Sequence, residues 1–231
     1  MTILCIDTSQ ATAIALVRDG KVLARARNES GRHHAESITP LVREALAEAG
    51  MPTTVTEAGL DAVAVGTGPA PFTGLRAGLV SARVLASAAG VPVYGVSSLD
   101  VVARQALDLL SQDSEVIALT DARRKELYWA RYRTEGPDDV IRLEGHEVES
   151  AADLARAVKS NAVRLVSCAP IPGHAADALA GLEQGPIAPL DAAVLARIVT
   201  ARLARGLHDA LDTEPLYLRR PEIHGQPMER M

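Results

Sequence analysis

The pattern of hydrophobic and polar positions predicts a three-stranded meander followed by a helix at the start of the chain. Two short apolar runs and one alternating run are typical of strands, and the Asp-Gly pair at 19–20 favours a tight hairpin. These runs occupy residues 3–6, 13–17 and 22–26. Over residues 33–49, apolar positions recur with helical spacing, and Gly50 ends this predicted amphipathic helix.

Strand-like and helical runs continue to alternate through the rest of the chain, which predicts an α/β protein. The predicted strands are residues 60–66, 91–96, 116–120, 126–133 and 163–167, and the predicted helices are 73–89, 100–110, 153–159 and 191–207. The second group of strands predicts a second lobe, so we divide the chain into residues 1–103 and 104–231. No internal repeat of about 20–50 residues is visible.

The composition is typical of a globular protein of the cytoplasm. A hydrophobic content of 48% is enough for a sizeable core, while a formal net charge of -5 opposes nucleic-acid binding by this chain alone. Cys5 and Cys168 lie in apolar runs, which favours buried thiols in a reducing compartment over a disulfide. The N-terminus lacks an export pattern, and no apolar stretch is suited to crossing a membrane.

Six segments of the chain together resemble the TsaB (YeaZ) family. They are ILCIDTS at 3–9, RHHAESITPL at 32–41, GTGPAPFTGLRAGL at 66–79, GVSSL at 95–99, DARRKELYWARY at 121–132 and EPLYLRR at 214–220. The block at 66–79 is the most specific of the six, whereas the IDTS sequence alone would fit many actin-like proteins. The resemblance extends over nearly the whole chain.

The resemblance implies a two-lobed actin-like fold of the ASKHA, ribonuclease H-like type. Mixed sheets flanked by helices would form both lobes, with a reduced second lobe and a C-terminal tail that packs back on the first. It also implies a non-catalytic scaffold in the complex that adds threonylcarbamoyl to the adenosine beside the tRNA anticodon. Its partners would be the transferase TsaD, with TsaE and tRNA through the complex, and the chain alone would form a homodimer.

The segment Asp7-Thr8-Ser9 lies where actin-like ATPases have their first phosphate loop. An Asp-Thr-Ser turn also suits a hairpin, and we favour this structural interpretation over a working catalytic site. Residues 166–173 are taken as the comparable strand end of the second lobe, and their prolines remove backbone donors that a phosphate would need. We therefore expect no required cofactor, and at most weak binding of ATP or ADP within the complex.

Two other groups of polar residues are weighed for chemistry. Arg123 and Arg124 lie in a charged turn, for which a solvated hairpin tip and a contact with phosphate or RNA remain equally open interpretations. None of the six histidines stands four residues from another, so we predict no helical pair of metal ligands. The alternatives to a scaffold are a nucleotide-binding phosphotransferase and a glycopeptidase-like hydrolase of the same superfamily.

The two predicted helices at 33–49 and 73–89 carry more apolar surface than one sheet face would cover. We therefore predict that both helices form a bundle with the matching helices of TsaD. The residues assigned to this interface are Ile38, Leu41, Val42, Ala45, Leu75, Gly78, Leu79, Ala82 and Leu85. The alternative is that these helices pack only on their own sheet and on each other.

Overall fold

The computed structural model describes residues 1–30, 33–158 and 163–219, and it contains two five-stranded sheets. The strands are β1 (Thr2–Asp7), β2 (Thr12–Arg18), β3 (Lys21–Asn28), β4 (Ala62–Gly66), β5 (Val93–Val96), β6 (Glu115–Asp121), β7 (Glu126–Glu135), β8 (Asp139–Ser150), β9 (Val163–Ser167) and β10 (Gln184–Ile187). The helices are α1 (His34–Glu48), α2 (Phe72–Ala89), α3 (Ser98–Leu107), α4 (Ala151–Ala157), α5 (Gly173–Leu179) and α6 (Ala193–Ala204). Lys159, the predicted end of one helix, and His224 lie outside the described residues.

The two sheets share one topology. The first has the order β3-β2-β1-β4-β5, and the second has the order β8-β7-β6-β9-β10. In each sheet the first three strands are antiparallel, and the fourth and fifth add in parallel. This duplication confirms the predicted two-lobed actin-like fold. β1 begins at Thr2 and its equivalent β6 at Glu115, so the duplication has a far longer period than the roughly 20–50 residues of the repeat search. The helices also differ in length, since α4 and α5 have 7 residues each and their counterparts α1 and α2 have 15 and 18.

Alternation along the strands divides the interior into three apolar clusters. In β1, Ile3 and Cys5 face a central cluster, while Leu4 and Ile6 face a second cluster beneath α1 and α2. A third, smaller cluster lies between the second sheet and the short helices α4 and α5. The resulting layers run helix, sheet, helix, sheet, helix, with α3 and α6 in the middle.

The two central helices exchange places between the lobes. Helix α3 follows the first sheet along the chain but packs against β6, β7, β8 and β9 of the second. Helix α6 follows the second sheet and packs mainly against β1, β2, β4 and β5 of the first, with a further contact to β8. The predicted boundary after residue 103 is therefore wrong, because it cuts through α3. A residue-number boundary cannot separate lobes whose helices are exchanged.

The predicted interface residues lie inside the first lobe. Of the nine, eight are buried, and Leu85 is half-buried against the same cluster. They are Ile38, Leu41, Val42, Ala45, Leu75, Gly78, Leu79 and Ala82. Their assignment to a partner surface is a mistake, because the apolar stripes of α1 and α2 face the sheet and each other. The outer face of α2 exposes Val80 and Val84 instead.

A cluster of buried charges lies where the exchanged helices meet the second sheet. Arg202 of α6 donates to Asp100 of α3 at 2.7 Å and to Asp139 of β8 at 3.1 Å. Tyr132 of β7 donates its hydroxyl to Asp100 at 2.8 Å. Burial alone would raise the pKa of Asp100, but His146 and Arg202 together hold it below its ordinary value. The cluster joins α3, α6, β7 and β8.

The C-terminal segment at 212–219, which we call the strap, packs back on the first lobe. Arg83 of α2 donates to the Thr213 carbonyl at 2.8 Å, and the Leu216 amide donates to the Thr67 carbonyl at 2.9 Å. The strap then reaches the second lobe, where Arg219 donates to the Ala122 carbonyl at 2.9 Å. Within the described ranges, no helix is long and apolar enough to cross a membrane.

We expect Arg202→Met to destabilise the protein strongly. The change leaves two buried carboxylates without their shared cation, which typically lowers the free energy of unfolding by about 3–5 kcal/mol. Urea denaturation followed by circular dichroism measures the loss.

Arg25→Met is the matched control, because it breaks an ion pair with Asp191 in which the arginine side chain is 56% exposed. Exposed pairs contribute about 1 kcal/mol or less. Equal losses in the two variants would contradict a special role of the buried cluster.

Candidate functional site

A cleft with a volume of about 720 Å³ opens between the two lobes. It is lined by the turns that follow β1 and β6, by the loops before α2 and α5, and by the start of α1. Because the two sheets share one topology, these turns and loops form two equivalent pairs. The carboxyl ends of neighbouring strands meet at such an edge, which is where ligands bind in many α/β proteins.

Asp7 ends β1 beneath the cleft and is 1% exposed. Its carboxylate accepts hydrogen bonds from the Ser9 amide at 2.8 Å, the Ser9 hydroxyl at 2.6 Å and the Ser98 hydroxyl at 2.7 Å. Burial raises the pKa of Asp7 above its ordinary value of 3.8, and the bonds from Ser9 and Ser98 oppose this. Asp7 thus connects the first turn to the start of α3.

Thr8 is also buried. Its hydroxyl donates to the Gly74 carbonyl at 2.8 Å, and a Cβ at Gly78 would lie 2.2 Å from that hydroxyl oxygen. Likewise, a Cβ at Gly66 would lie 1.9 Å from an Asp7 carboxylate oxygen. These glycines let the first turn pack tightly onto α2 and β4.

Of the three residues assigned to vestigial nucleotide binding, Ser9 alone lines the cleft, while Asp7 and Thr8 are buried below it. Sequence analysis missed Ser98, because 91 residues separate it from Asp7. The glycines at 66 and 78 stand inside the segment that carries the family resemblance, which was the available signal. The burial and hydrogen bonds of Asp7 and Thr8 are those of a structural turn.

The counterpart of the first turn in the second lobe is the turn between β6 and β7. Its Asp121 ends β6 as Asp7 ends β1, and it accepts from the Arg123 amide at 2.8 Å. Residues 166–173 were assigned to this role, which is wrong. They comprise the end of β9, the loop after it and the first residue of α5, and this loop is the equivalent of the loop after β4. The backbone of Arg123, Arg124 and Lys125 has positive φ at each residue, between 53° and 64°. Residues other than glycine rarely adopt this left-handed conformation.

The two loops that face each other across the cleft share a proline pattern. Pro71 precedes α2 with φ −56° and ψ 134°, and Pro172 precedes α5 with φ −56° and ψ 138°. Another proline stands two residues earlier in each loop, at 69 and 170. Prolines at these positions reduce the number of backbone N–H groups that a phosphate could accept from.

Other polar residues around the cleft have mainly structural contacts. His33 and His34 line it at the start of α1, where the His34 imidazole lies 2.9 Å from the Thr12 hydroxyl. Cys5 and Cys168 are buried and free, as predicted, and burial raises the pKa of the Cys168 thiol to about 12, which makes it unreactive. In the described part of the chain, no cluster of His, Cys, Asp and Glu side chains is suited to hold a metal ion.

The two arginines assigned to phosphate or RNA lie at the rim of the second lobe. Arg123 lines the cleft and, with Arg124, a smaller pocket next to it. Arg123 also forms an exposed ion pair with Asp121 at 3.5 Å. The turn therefore presents its charge to solvent, in contrast to the buried first turn.

Known proteins match this chain in sequence and structure. The family model of the tRNA N6-adenosine threonylcarbamoyltransferase TsaD matches residues 25–213. An uncharacterised protein of Mycobacterium tuberculosis is 41% identical over 96% of this chain and 93% of its own length. The tRNA threonylcarbamoyladenosine biosynthesis protein TsaB of Escherichia coli is 40% identical over 58% of this chain and 55% of its own length. The structure of YeaZ from Pseudomonas aeruginosa superposes with a TM-score of 0.74 at 29% identity, over 94% of this chain and 99% of that one.

We expect Asp7→Asn to become more stable relative to the wild type as the pH rises. A carboxyl whose pKa is higher in the folded than in the unfolded state destabilises the fold once it ionises. That penalty is absent below the ordinary value of 3.8 and grows as the pH rises through the folded value. Urea midpoints measured between about pH 4 and about pH 8 follow the difference.

Asp113→Asn is the control, because Asp113 is exposed in the loop before β6. Because this side chain faces solvent, its replacement should change the midpoint little. A pH-independent difference for Asp7→Asn would contradict the effect of burial on the Asp7 carboxyl.

Proposed function

The chain belongs to the TsaB (YeaZ) family, within the wider threonylcarbamoyltransferase family, and we propose that it is the non-catalytic scaffold of a tRNA-modifying complex. Family membership makes it a protein of tRNA threonylcarbamoyladenosine biosynthesis. In this proposal it works in the cytoplasm by binding TsaD, and TsaE and tRNA join through that complex. The chain alone forms a homodimer through the same surface.

The outer face of α2 is the observation that carries the scaffold role. Val80 and Val84 stand one helical turn apart and are 58% and 60% exposed, although the opposite face of α2 is buried in the lobe. Large apolar side chains at such spacing are typical anchors of a helix-to-helix contact. Arg76 and Arg83 are also exposed on α2, so that polar groups border the valine pair.

The burial and hydrogen bonding of the first turn support the proposal that the chain is not itself a catalyst. Phosphoryl transfer depends on groups preorganised around the phosphate and its metal ion. Here the carboxylate of Asp7 is buried and occupied by Ser9 and Ser98, and the hydroxyl of Thr8 is bound to Gly74. In the proposal the cleft has no required cofactor, and ATP or ADP binds at most weakly within the complex.

We expect the double variant Val80→Glu, Val84→Glu to fold normally but to lose its binding to TsaD. Both side chains already face water, so the charges are tolerated in the free chain but would be buried without partners in the complex. Co-purification with the TsaD homologue of the same genome and threonylcarbamoyl formation on tRNA should fail together. The melting temperature should stay near that of the wild type.

Val22→Glu with Leu143→Glu is the matched control, because these side chains are 37% and 42% exposed on strands away from α2. This variant should still bind TsaD. Gly78→Arg is unsuitable as a test, because a side chain there would collide with Thr8 inside the lobe. A folded valine variant that still co-purifies with TsaD would refute the proposed surface.

We also expect the isolated chain to release phosphate from ATP at background rates. Asp7→Asn should leave that rate unchanged, because the proposal gives Asp7 a structural role only. Steady-state turnover of about 1 per second or faster, typical of dedicated phosphotransferases, would contradict the scaffold role if it disappeared in Asp7→Asn.

A further inference from the structure

A small pocket next to the cleft brings together arginines and aromatic rings from both lobes. Its volume is about 190 Å³, and its walls come from the loop before α2 with the first residue of that helix, the turn between β6 and β7, the start of β7, and the strap. The side chains that matter are Phe72, Arg123, Arg124, Tyr128, Tyr217 and Arg219. We call it the arginine-tyrosine pocket.

This concentration of aromatic rings is unusual for the chain. The sequence contains one Phe, one Trp and four Tyr, and half of these six rings line this one pocket. Tyr217 is 39% exposed, and its ring centroid lies 5.1 Å from that of Phe72. Arg76 covers a face of Phe72 at 3.8 Å and donates to the Tyr217 hydroxyl at 3.1 Å. The Tyr217 ring is therefore held in place with part of its surface open to solvent.

Cationic side chains outnumber carboxylates in the described part of this region, although the whole chain is acidic. The turn and the strap contribute Arg123, Arg124, Lys125 and Arg219 against Asp121 and Glu126, in a protein of net charge -5. Glu126 pairs with Arg219, and Asp121 pairs with Arg123. Burial and the neighbouring charge of Arg124 both lower the pKa of Arg219. An anion between these guanidinium groups would relieve their repulsion.

Three of the six segments that carry the family resemblance meet here. The loop before α2 belongs to residues 66–79, the turn to 121–132 and the strap to 214–220. The strap reaches the turn through the bond from Arg219 to the Ala122 carbonyl. Segments far apart in sequence thus build one surface.

We propose that the arginine-tyrosine pocket binds a single-stranded segment of the substrate tRNA, with arginines on phosphates and Tyr217 under a base. Stacked aromatic rings beside cationic side chains are the means by which proteins hold single-stranded nucleic acid. This inference rests on the proposed function. Although the chain has few aromatic rings, half of them line this pocket.

An RNA segment fits the pocket better than a free nucleotide does. At about 190 Å³ the pocket is smaller than the roughly 300 Å³ at which sites for whole small molecules begin. It is open to solvent, so a longer chain can continue past it. The net charge of the protein predicts that affinity becomes measurable only when TsaD contributes to binding.

The test uses the complex of this chain with the TsaD homologue of the same genome, titrated with tRNA over a range of salt concentrations. Arg123→Ala with Arg124→Ala should weaken binding by about tenfold at physiological salt and reduce the slope of log K against log salt by about 2, since each lost phosphate contact removes about 1. Tyr217→Leu should weaken binding without changing that slope, because no charge is lost.

Lys21→Ala with Arg133→Ala is the matched control, since both side chains are exposed and neither lines the pocket. This variant should keep the wild-type slope. Melting temperatures of all variants, and their co-elution with TsaD, establish that fold and complex are intact before affinities are compared.

The outcomes separate the inference from the proposed function. If no complex forms with TsaD even for the wild type, the proposed function fails. If the complex forms and modifies tRNA, but the arginine variant keeps the wild-type affinity and slope, the pocket does not bind RNA. If the arginine variant no longer binds TsaD, the pocket is a protein contact. If that variant binds tRNA like the wild type but no longer binds ATP, the pocket is a site for a free nucleotide. Either result overturns the inference.

Discussion

The exchange of α3 and α6 between the two sheets constrains everything else in this structure. Each sheet has one face covered by its own outer helices, but its inner face is covered by a helix that the other half of the chain supplies. The central apolar cluster therefore contains residues of both sheets, and neither lobe can bury its inner face alone. The charges of Asp100, Arg202 and Asp139 fix how the two helices meet.

The hydrophobic pattern predicts the first lobe well, because its strands are apolar and its helices are long. The predicted helix at 73–89 differs from α2 by one residue, and the strand at 163–167 coincides with β9. The pattern missed β8, most of whose residues are polar and at least partly exposed, and it missed the four-residue β10 at the sheet edge. Edge strands need little apolar surface, so alternation is a weak signal for them. The exchange of helices has no signal in the local pattern at all.

The candidate site could be located from sequence only in part. Short motifs identified the turn at Asp7 and the charged turn at Arg123, because residue types and strand ends are visible in one dimension. Spacing could not reveal that Ser98 occupies the Asp7 carboxylate, nor which element covers an apolar stripe. Helical periodicity identifies the apolar face of α2, but the same pattern results from packing on the chain's own sheet and from packing on a partner. The exposed Val80 and Val84 were distinguishable only once the sheet was in place.

The equivalent turns of the two lobes differ in burial, since Asp7 and Thr8 are buried whereas Arg123 and Arg124 are exposed. In the first lobe, the absence of side chains at Gly66 and Gly78 allows Asp7 and Thr8 to pack beneath the cleft. The side-chain oxygens of Asp7 and Thr8 form hydrogen bonds within the chain. In the second lobe, the turn after Asp121 has positive φ at three consecutive residues with side chains. Such backbone is disfavoured by about 1 kcal/mol or more per residue and persists where the surrounding structure holds it. Here the strap supplies that support through Arg219. The duplicated fold therefore buries the turn after Asp7 and holds the turn after Asp121 at the surface, with exposed arginines on it, which is where we propose the contact with RNA.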